Sequence, residues 1–374
     1  MSLLFNLVAK LFVEEGEKAR FLSYPRKNPY LLADVSIDED ESSNDEENVF
    51  ASYWVFNPRS EKIINITGKK FPRVLYDDGC MLLGTSRGWE VFMRMHDSTI
   101  HLSQVCHPWS SSDASLKTIA LPPFNDHFAH HSYKYINVSL SSPFPHQDED
   151  YIVSVTFLGS KLSYCMPNRD SEWTNINIPF SCEKPRVVYS RKDQMLYLLP
   201  TGCAYLAALD VKKNKKNPNF LRLHFESFPS IPQHEWEILA SCLRSDYMVE
   251  SSSGERFIVQ WYVEPASIVG DITRLDISTK RFMVFMIKEV GRYEGSRVTA
   301  TYTEYIGDLC IFVGQNETFC LEASKFPGLR PNSIYYAGYG FGIYDISRKS
   351  SREYDISGFP TNRIRTLFLS PSLY

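Results

Sequence analysis

The feature that most limits how this chain can fold is a series of short runs that are apolar at consecutive positions, with almost no helix to cover them. CMLLG (80–84), YIVSVTFLG (151–159), MLYLL (195–199), FIVQWYV (257–263) and LCIFVG (309–314) are the clearest. A strand in a half-exposed sheet alternates apolar with polar, whereas a strand covered on both faces is apolar throughout. Helical periodicity is nearly absent after residue 30, so crossover helices cannot supply the covering layers. Other antiparallel sheets must, and a β-propeller meets that demand because each blade is packed between its neighbours. An aromatic content of 14%, with 22 Tyr and 24 Phe, suits pleated sheets as well.

Hairpin signals organise the same region. WVFNPRSEKIINI (54–66), YCMPNRDSEWTNINI (164–178), YLAALDVKKNKKNPNFLRL (205–223), TRLDISTKRFMVFMI (273–287) and GIYDISRKSSREYDI (342–356) each join two strand-like runs through a polar turn, and VFMRMHDSTIHLSQV (91–105) is a looser case. Asp or Asn at the strand end favours such turns because its side chain bonds the backbone two residues on. Roughly 325 residues at about 45–50 per blade predict an all-β propeller of about six or seven antiparallel blades. A pair of β-sandwiches is the competing fold.

Residues 1–30 precede this body. Leu3, Leu4, Leu7, Val8, Leu11 and Phe12 fit a short amphipathic helix without acidic residues through Val13, which reads either as a cap on the domain or as a cleavable transit segment. Residues 31–49 read as an acidic flexible linker around SIDEDESSNDEEN (36–48), and 50–374 as the propeller. The longest apolar run, 282–287, is far short of a bilayer span. A net charge of −4 does not favour nucleic acid. The eight cysteines are spread singly, without a CxxC or a zinc spacing, and read as buried free thiols.

The stretch GDLCIFVGQNETFCLEASKFPGLRPNSIYY (307–336) carries a resemblance. Gly307, Asp308, Phe312, Gly314, Phe326, Pro327, Gly328, Leu329, Asn332, Ile334 and Tyr335, followed by Asp345, look like the C-terminal signature of a plant family. That family is the domain-of-unknown-function family 295, described also as the KIB-type β-propeller and often found behind an F-box. YWVFNP (53–58) is similar to its first blade. In this reading Leu309 to Gly314 is an inner strand, Thr318 to Ala323 returns, and Ser333 to Tyr336 opens the next blade. No Leu-Pro start and helix pair of an F-box is seen before residue 50, so the chain looks more like an F-box-less branch, whose members the resemblance implies go to mitochondria or other organelles.

Motifs with chemistry are few. His127, His130, His131 and His146 lie in a polar loop without a zinc-type spacing. The GxGxG of AGYGFGIYD (337–345) leads into a strand, not into the helix a phosphate loop requires, so close packing explains it better. KKNKK (212–216) lacks interleaved aromatics and reads as a solvated loop tip. Sequons at Asn65, Asn137 and Asn316 matter only in the secretory pathway. Asp210, Asp276 and Asp345 sit at turn positions, and no hydrolase elbow or sialidase box is present. The expectation is a monomeric, non-catalytic recognition module for protein partners, with no cofactor, no metal, no nucleic acid and no membrane span. An adaptor in ubiquitin ligation is the first alternative and a propeller hydrolase the second. A cluster of carboxylates facing the channel would favour the hydrolase.

Overall fold

A computed structural model describes residues 30–38, 47–58, 60–76, 79–105, 118–124, 135–145, 150–213, 219–227, 233–265, 278–290, 297–314, 316–354 and 367–369. These form five sheets. The first holds β1 (Tyr30–Asp38), β2 (Asn48–Asn57) and β3 (Lys62–Pro72), completed by the last strand of the chain, β25 (Leu367–Leu369), in the order β25-β1-β2-β3. The second is β4 (Cys80–Ser86), β5 (Trp89–Arg94), β6 (Ile100–Ser103) and β7 (Thr118–Leu121). The third is β8 (Tyr135–Leu140), β9 (Val153–Phe157), β10 (Lys161–Cys165) and β11 (Thr174–Asn177).

The fourth sheet has eight strands in two antiparallel halves. One half is β12 (Val187–Ser190), β13 (Met195–Leu198), β14 (Tyr205–Leu209) and β15 (Phe220–Ser227). The other is β16 (Leu243–Glu250), β17 (Arg256–Glu264), β18 (Ser278–Val290) and β19 (Arg297–Thr303). The halves join where β15 and β19 pair in parallel, Phe225 opposite Val298. A short helix, α1 (Gln233–Leu239), lies between them in the chain. The fifth sheet runs β21-β20-β22-β23-β24, from β20 (Leu309–Val313), β21 (Phe319–Glu322), β22 (Ser333–Gly338), β23 (Gly340–Asp345) and β24 (Ser350–Glu353).

The apolar runs follow from where alternate side chains go. On β17, Phe257, Val259, Trp261 and Val263 enter the core shared with the fifth sheet, while Ile258 and Tyr262 enter the core between the halves of the fourth. On β20, Leu309, Ile311 and Val313 face the fourth sheet, and Cys310 and Phe312 face the first. Similar cores join the first sheet to the second, the second to the third, and the third to the fourth. The series closes on itself, since Phe56 and Ile63 of the first sheet pack against the fifth. Hydrogen bonds between strands far apart in sequence reinforce the closure: β25 pairs antiparallel with β1, Leu31 opposite Phe368. This is a β-propeller.

Several expectations need correction. Residues 31–38, assigned to the linker, and Tyr30, assigned to the segment before it, form β1, which pairs with β2 over Leu31 to Asp38, because Leu32 and Val35 have a core to enter. The helix expected in 1–30 lies outside the described residues, as do the acidic run 39–46, the histidine loop and Asp276. The hairpin expected at 273–287 is not there as read: Ser278–Val290 is one continuous strand paired with β17. Ser333 does not open a new blade, since β22 pairs in parallel with β20 in the same sheet. A 3-10 turn at Ala323–Lys325 and the Phe326–Leu329 bend return the chain to the start of β20, so the next strand must run the same way.

The glycines of 337–345 act through packing. A Cβ on Gly342 would lie 2.5 Å from the Arg352 carbonyl oxygen and 2.6 Å from the Tyr336 hydroxyl, and Gly340 has φ +84 in the tight β22–β23 turn. Among the described residues the cysteines are free thiols, including the buried Cys182 and Cys310, which burial pushes up to about 12.

Ring closure gives a first prediction. Phe56 is buried against Phe341, ring centroids 4.8 Å apart and edge-on, and against Tyr354 at 5.1 Å. Phe56→Ala is expected to lower unfolding free energy by about 3–5 kcal/mol, the usual range for deleting a buried phenyl. Urea unfolding measures it. A loss under about 1 kcal/mol, the level of an ordinary surface change, would mean that the first and fifth sheets do not close the ring.

Candidate functional site

The first strands β4, β8, β12 and β16 lie side by side at the centre of the ring and finish at the same end. There is little room where strands converge, so that end carries small hydroxyls and a few charges: Ser86, Ser139, Ser190 and Glu250. Arg87 (φ 50) and Gly88 (φ 78) turn the chain sharply after β4, both in the left-handed region that two-residue hairpins need.

Side chains bridge the sheets there. The Asn137 amide donates from Nδ2 to the Val187 carbonyl at 2.9 Å and accepts the Val187 N–H at Oδ1 at 3.0 Å, tying β8 to β12. Ser86 Oγ accepts the Leu140 N–H at 2.8 Å and donates to Oε2 of Glu317, which enters from the β20–β21 turn. Ser139 Oγ accepts the Tyr189 N–H at 3.0 Å and donates to Oε1 of the same carboxyl. Arg87 donates from Nε to the Leu140 carbonyl at 2.6 Å and from Nη2 to that of Tyr189 at 3.1 Å. Arg186 donates to the Gly314 carbonyl at 3.3 Å, with its guanidinium 4.3 Å over the Tyr247 ring. One buried glutamate therefore joins the second, third and fifth sheets.

A second carboxylate stands close by. Glu250 accepts from Ser190 Oγ at 2.5 Å, the Arg191 N–H at 3.0 Å and Arg256 Nε at 3.3 Å. The buried Arg256 also pairs with Asp193 and, at 2.8 Å, with Glu289. Burial raises the Glu317 pKa above the ordinary carboxyl value, opposed by the Arg87 charge, and burial lowers that of Arg87. The space left over is about 70 Å³, between Thr85, Arg87, Arg191, Ser251, Thr318 and Cys320. That holds a few waters, against about 300–1,000 Å³ for a typical small-molecule site. Carboxylates do gather near the axis, as the hydrolase alternative requires, yet both oxygens of Glu317 and those of Glu250 are taken by donors of the fold. Among the described residues no group of three His, Cys, Asp or Glu side chains is arranged to hold a metal.

Apart from Gly314, whose carbonyl accepts from Arg186 near the axis, the signature residues lie elsewhere and shape the fifth sheet. Gly307 has φ +70. The Asp308 carboxylate accepts the Ser324 N–H at 3.1 Å, fixing the 3-10 turn. Phe312 stacks between Phe319 and Tyr335, with centroids 4.7 and 4.9 Å away. Phe326 and Leu329 are buried around Pro327 and Gly328 (φ 96). Asn332 (φ 51) accepts the Ile306 N–H at 2.8 Å and donates to the Glu304 carbonyl at 3.1 Å. Ile334 is buried, the Tyr335 hydroxyl accepts the Arg330 N–H at 2.9 Å, and Asp345 accepts the Arg348 N–H at 2.9 Å. Of the sequons, Asn137 and Asn316 are buried, closed to glycosylation in the folded chain.

A different surface is built to face outward. The Glu235 carboxylate of α1, 6% exposed, accepts from Arg281 Nη1 at 2.6 Å and Lys349 Nζ at 3.2 Å. Lys349 also reaches Glu304 at 2.8 Å, linking α1 to the segment before β20. With Glu235 and Leu239 turned inward, Trp236 (56% exposed), Leu243 (56%) and Ile238 point out, and Tyr305 (70%) stands beside Glu304. Tyr305 is held by Thr303, whose Oγ1 accepts its N–H at 3.1 Å. The sequence hid this site: QHEWEIL is too short for helical periodicity to show, and Glu317 reads as an ordinary turn residue.

The axial carboxyl yields a second prediction. Because its folded pKa is raised, Glu317 contributes stability in full below the unfolded value of about 4.3, and that contribution is lost as pH rises through the folded value. Glu317→Gln carries no proton to lose, so its stability deficit relative to wild type should shrink between pH 4 and 8. Urea unfolding across that range decides it, and parallel pH profiles for the two proteins would refute it.

Among solved structures the chain is similar to a protein of unknown function from Bacteroides thetaiotaomicron, 8% identical, with a TM-score of 0.32 over 74% of this chain and 70% of that one. It is also similar to a catalytically inactive virginiamycin B lyase from Staphylococcus aureus with quinupristin, 12% identical, with a TM-score of 0.32 over 89% and 86%. A post-proline cleaving enzyme from Rickettsia typhi follows, 9% identical, with a TM-score of 0.21 over 61% of this chain and 33% of that one. No curated protein matches the chain. The sequence matches the KIB1-4 beta-propeller family over residues 55–359, most of its length and nearly all the sheets described above, and the chain belongs to that family.

Proposed function

We propose that this protein is a non-catalytic recognition module whose protein partner docks on the surface formed by α1 and Tyr305. The observation that carries the reading is the clamp on Glu235, which holds a seven-residue helix rigid while leaving Trp236, Ile238 and Leu243 exposed. Tryptophan and tyrosine on a rigid support are the usual anchors of protein interfaces. The axial cluster supports the same reading, since its charged groups are occupied in joining the sheets. We read the ring as six blades, counting the halves of the fourth sheet separately, because β15 and β19 meet in parallel while all pairing within each half is antiparallel. The acid-poor amphipathic start supports a mitochondrial or other organellar location for this member of the domain-of-unknown-function family 295. An adaptor in ubiquitin ligation is the alternative.

Proximity labelling in plant cells, with the labelling enzyme fused after Tyr374, tests both parts. Trp236→Ala with Tyr305→Ala should leave stability within about 0.5 kcal/mol, as exposed changes do, yet remove the principal neighbours that wild type labels. Neighbours retained by the double variant would exclude the α1 surface. Organellar neighbours support the organellar recognition module, and cullin-ligase components support the adaptor.

A further inference from the structure

We infer that the outer edge of β3 is a second binding site, which takes an extended acidic segment of a partner protein as an added strand. A propeller's outermost strands expose main-chain N–H and C=O groups that can template pairing with another chain. This molecule handles most of those edges in two ways. The long outer strands β15 and β19, of 8 and 7 residues, pair with each other. β7, β11 and β24 are kept to 4 residues each. β3 is the exception: it has 11 residues, ends its sheet, and among the described residues no strand pairs with its outer side.

The local geometry defines the usable length. β3 pairs regularly with β2 from Lys62 opposite Asn57 to Ile66 opposite Tyr53, and the register then shifts. Thr67 and Gly68 together oppose Ser52, and Gly68 has φ +69, a bulge of the glycine type. Lys62–Thr67 is thus an unbroken edge, longer than any of the 4-residue ones, with about half of its main-chain groups facing away from β2. Both faces of the strand are already held, Ile63 by the fifth sheet and Ile66 by the second, so the edge is firm rather than fraying. The Oδ1 of Asn65 is buried without a hydrogen-bond donor among the described residues.

Charge selects the occupant. Because the bulge inserts one residue, Lys62 and Lys69 fall on the same face of β3. A second copy of the chain pairing antiparallel with β3 about Asn65 would place Lys62 against Lys69, whereas an acidic strand meets opposite charges at both ends. Opposite-charge cross-strand pairs stabilise and like charges directly opposite destabilise. Main-chain pairing gives such a site affinity and the flanking charges give it specificity.

The test uses the full-length protein and a synthetic acetylated peptide of about nine residues, roughly one strand length, alternating glutamate with valine and threonine. Hydrogen–deuterium exchange over 62–72 should slow about tenfold when the peptide saturates, as expected for amides newly paired. Lys62→Glu with Lys69→Glu, both exposed or half-exposed positions, should weaken binding about tenfold while a lysine version of the peptide gains. Trp236→Ala with Tyr305→Ala should leave this binding unchanged, which separates it from the α1 surface. Unchanged exchange at saturating peptide, or equal affinity in the charge-reversed variant, would overturn the proposal. Protection of β3 that rises with protein concentration alone would assign the edge to a second copy instead and overturn it too.

Discussion

No sheet of this molecule can be left with a bare face, and the rest of the structure depends on meeting that condition where the first sheet meets the fifth. Each strand such as β17 or β20 sends alternate side chains to two different cores. A linear stack of such sheets would leave its first and last members half exposed, and only a ring covers every face. The contact of Phe56 with Phe341 and Tyr354, and the pairing of β1 with β25, are where that ring is joined. Burying the apolar strands makes the closure necessary, and the closure keeps those strands out of water.

Closing a ring creates a second constraint at its centre. Converging strands cannot pair side by side, so their end groups are left for side chains to satisfy. Asn137 does this between β8 and β12, and Ser86 and Ser139 each accept a main-chain N–H while donating to Glu317. A buried carboxyl is a poor source of stability by itself, since desolvation offsets its attractions. Its use here is geometric: two acceptor oxygens at one point can serve donors from two sheets while belonging to a third. Any change that frees one oxygen leaves a buried serine without an acceptor.

Much of this architecture was legible in the sequence, and the physical reason is that packing constrains residue type. Apolar runs without alternation identified strands covered on both faces, and Asp or Asn at strand ends marked turns that Asp210 and Asp345 do make. What failed to show was long-range. Whether Ser333–Gly338 begins a new sheet or joins the old one depends on the 3-10 turn at Ala323–Lys325, and its sequence does not distinguish the two. β1 was hidden because its neighbours in sequence are acidic, although Leu32 and Val35 are buried. Glu317 was hidden because a glutamate in a turn is ordinary until the fold delivers two serines to it.

The same reasoning explains why belonging to a family says more about this fold than about its partner. The residues that carry the family likeness occupy positions few side chains tolerate: Gly307 and Gly328 at positive φ, Asn332 in the left-handed region with both amide atoms bonded, Phe312 between two rings. They are recognisable because the backbone demands them. A docking surface makes no such demand, since Trp236, Leu243 and Tyr305 would satisfy the local backbone as well if they were lysines. What distinguishes them is a destabilising feature the fold does not need, large apolar side chains in water: Trp236 on a helix that Glu235 clamps in place, Leu243 at the start of β16 and Tyr305 just after β19. The length of β3 is the same kind of departure, an exposed edge in a molecule that elsewhere shortens its edges or pairs them. Function is therefore to be sought where the structure gives up stability without a structural reason.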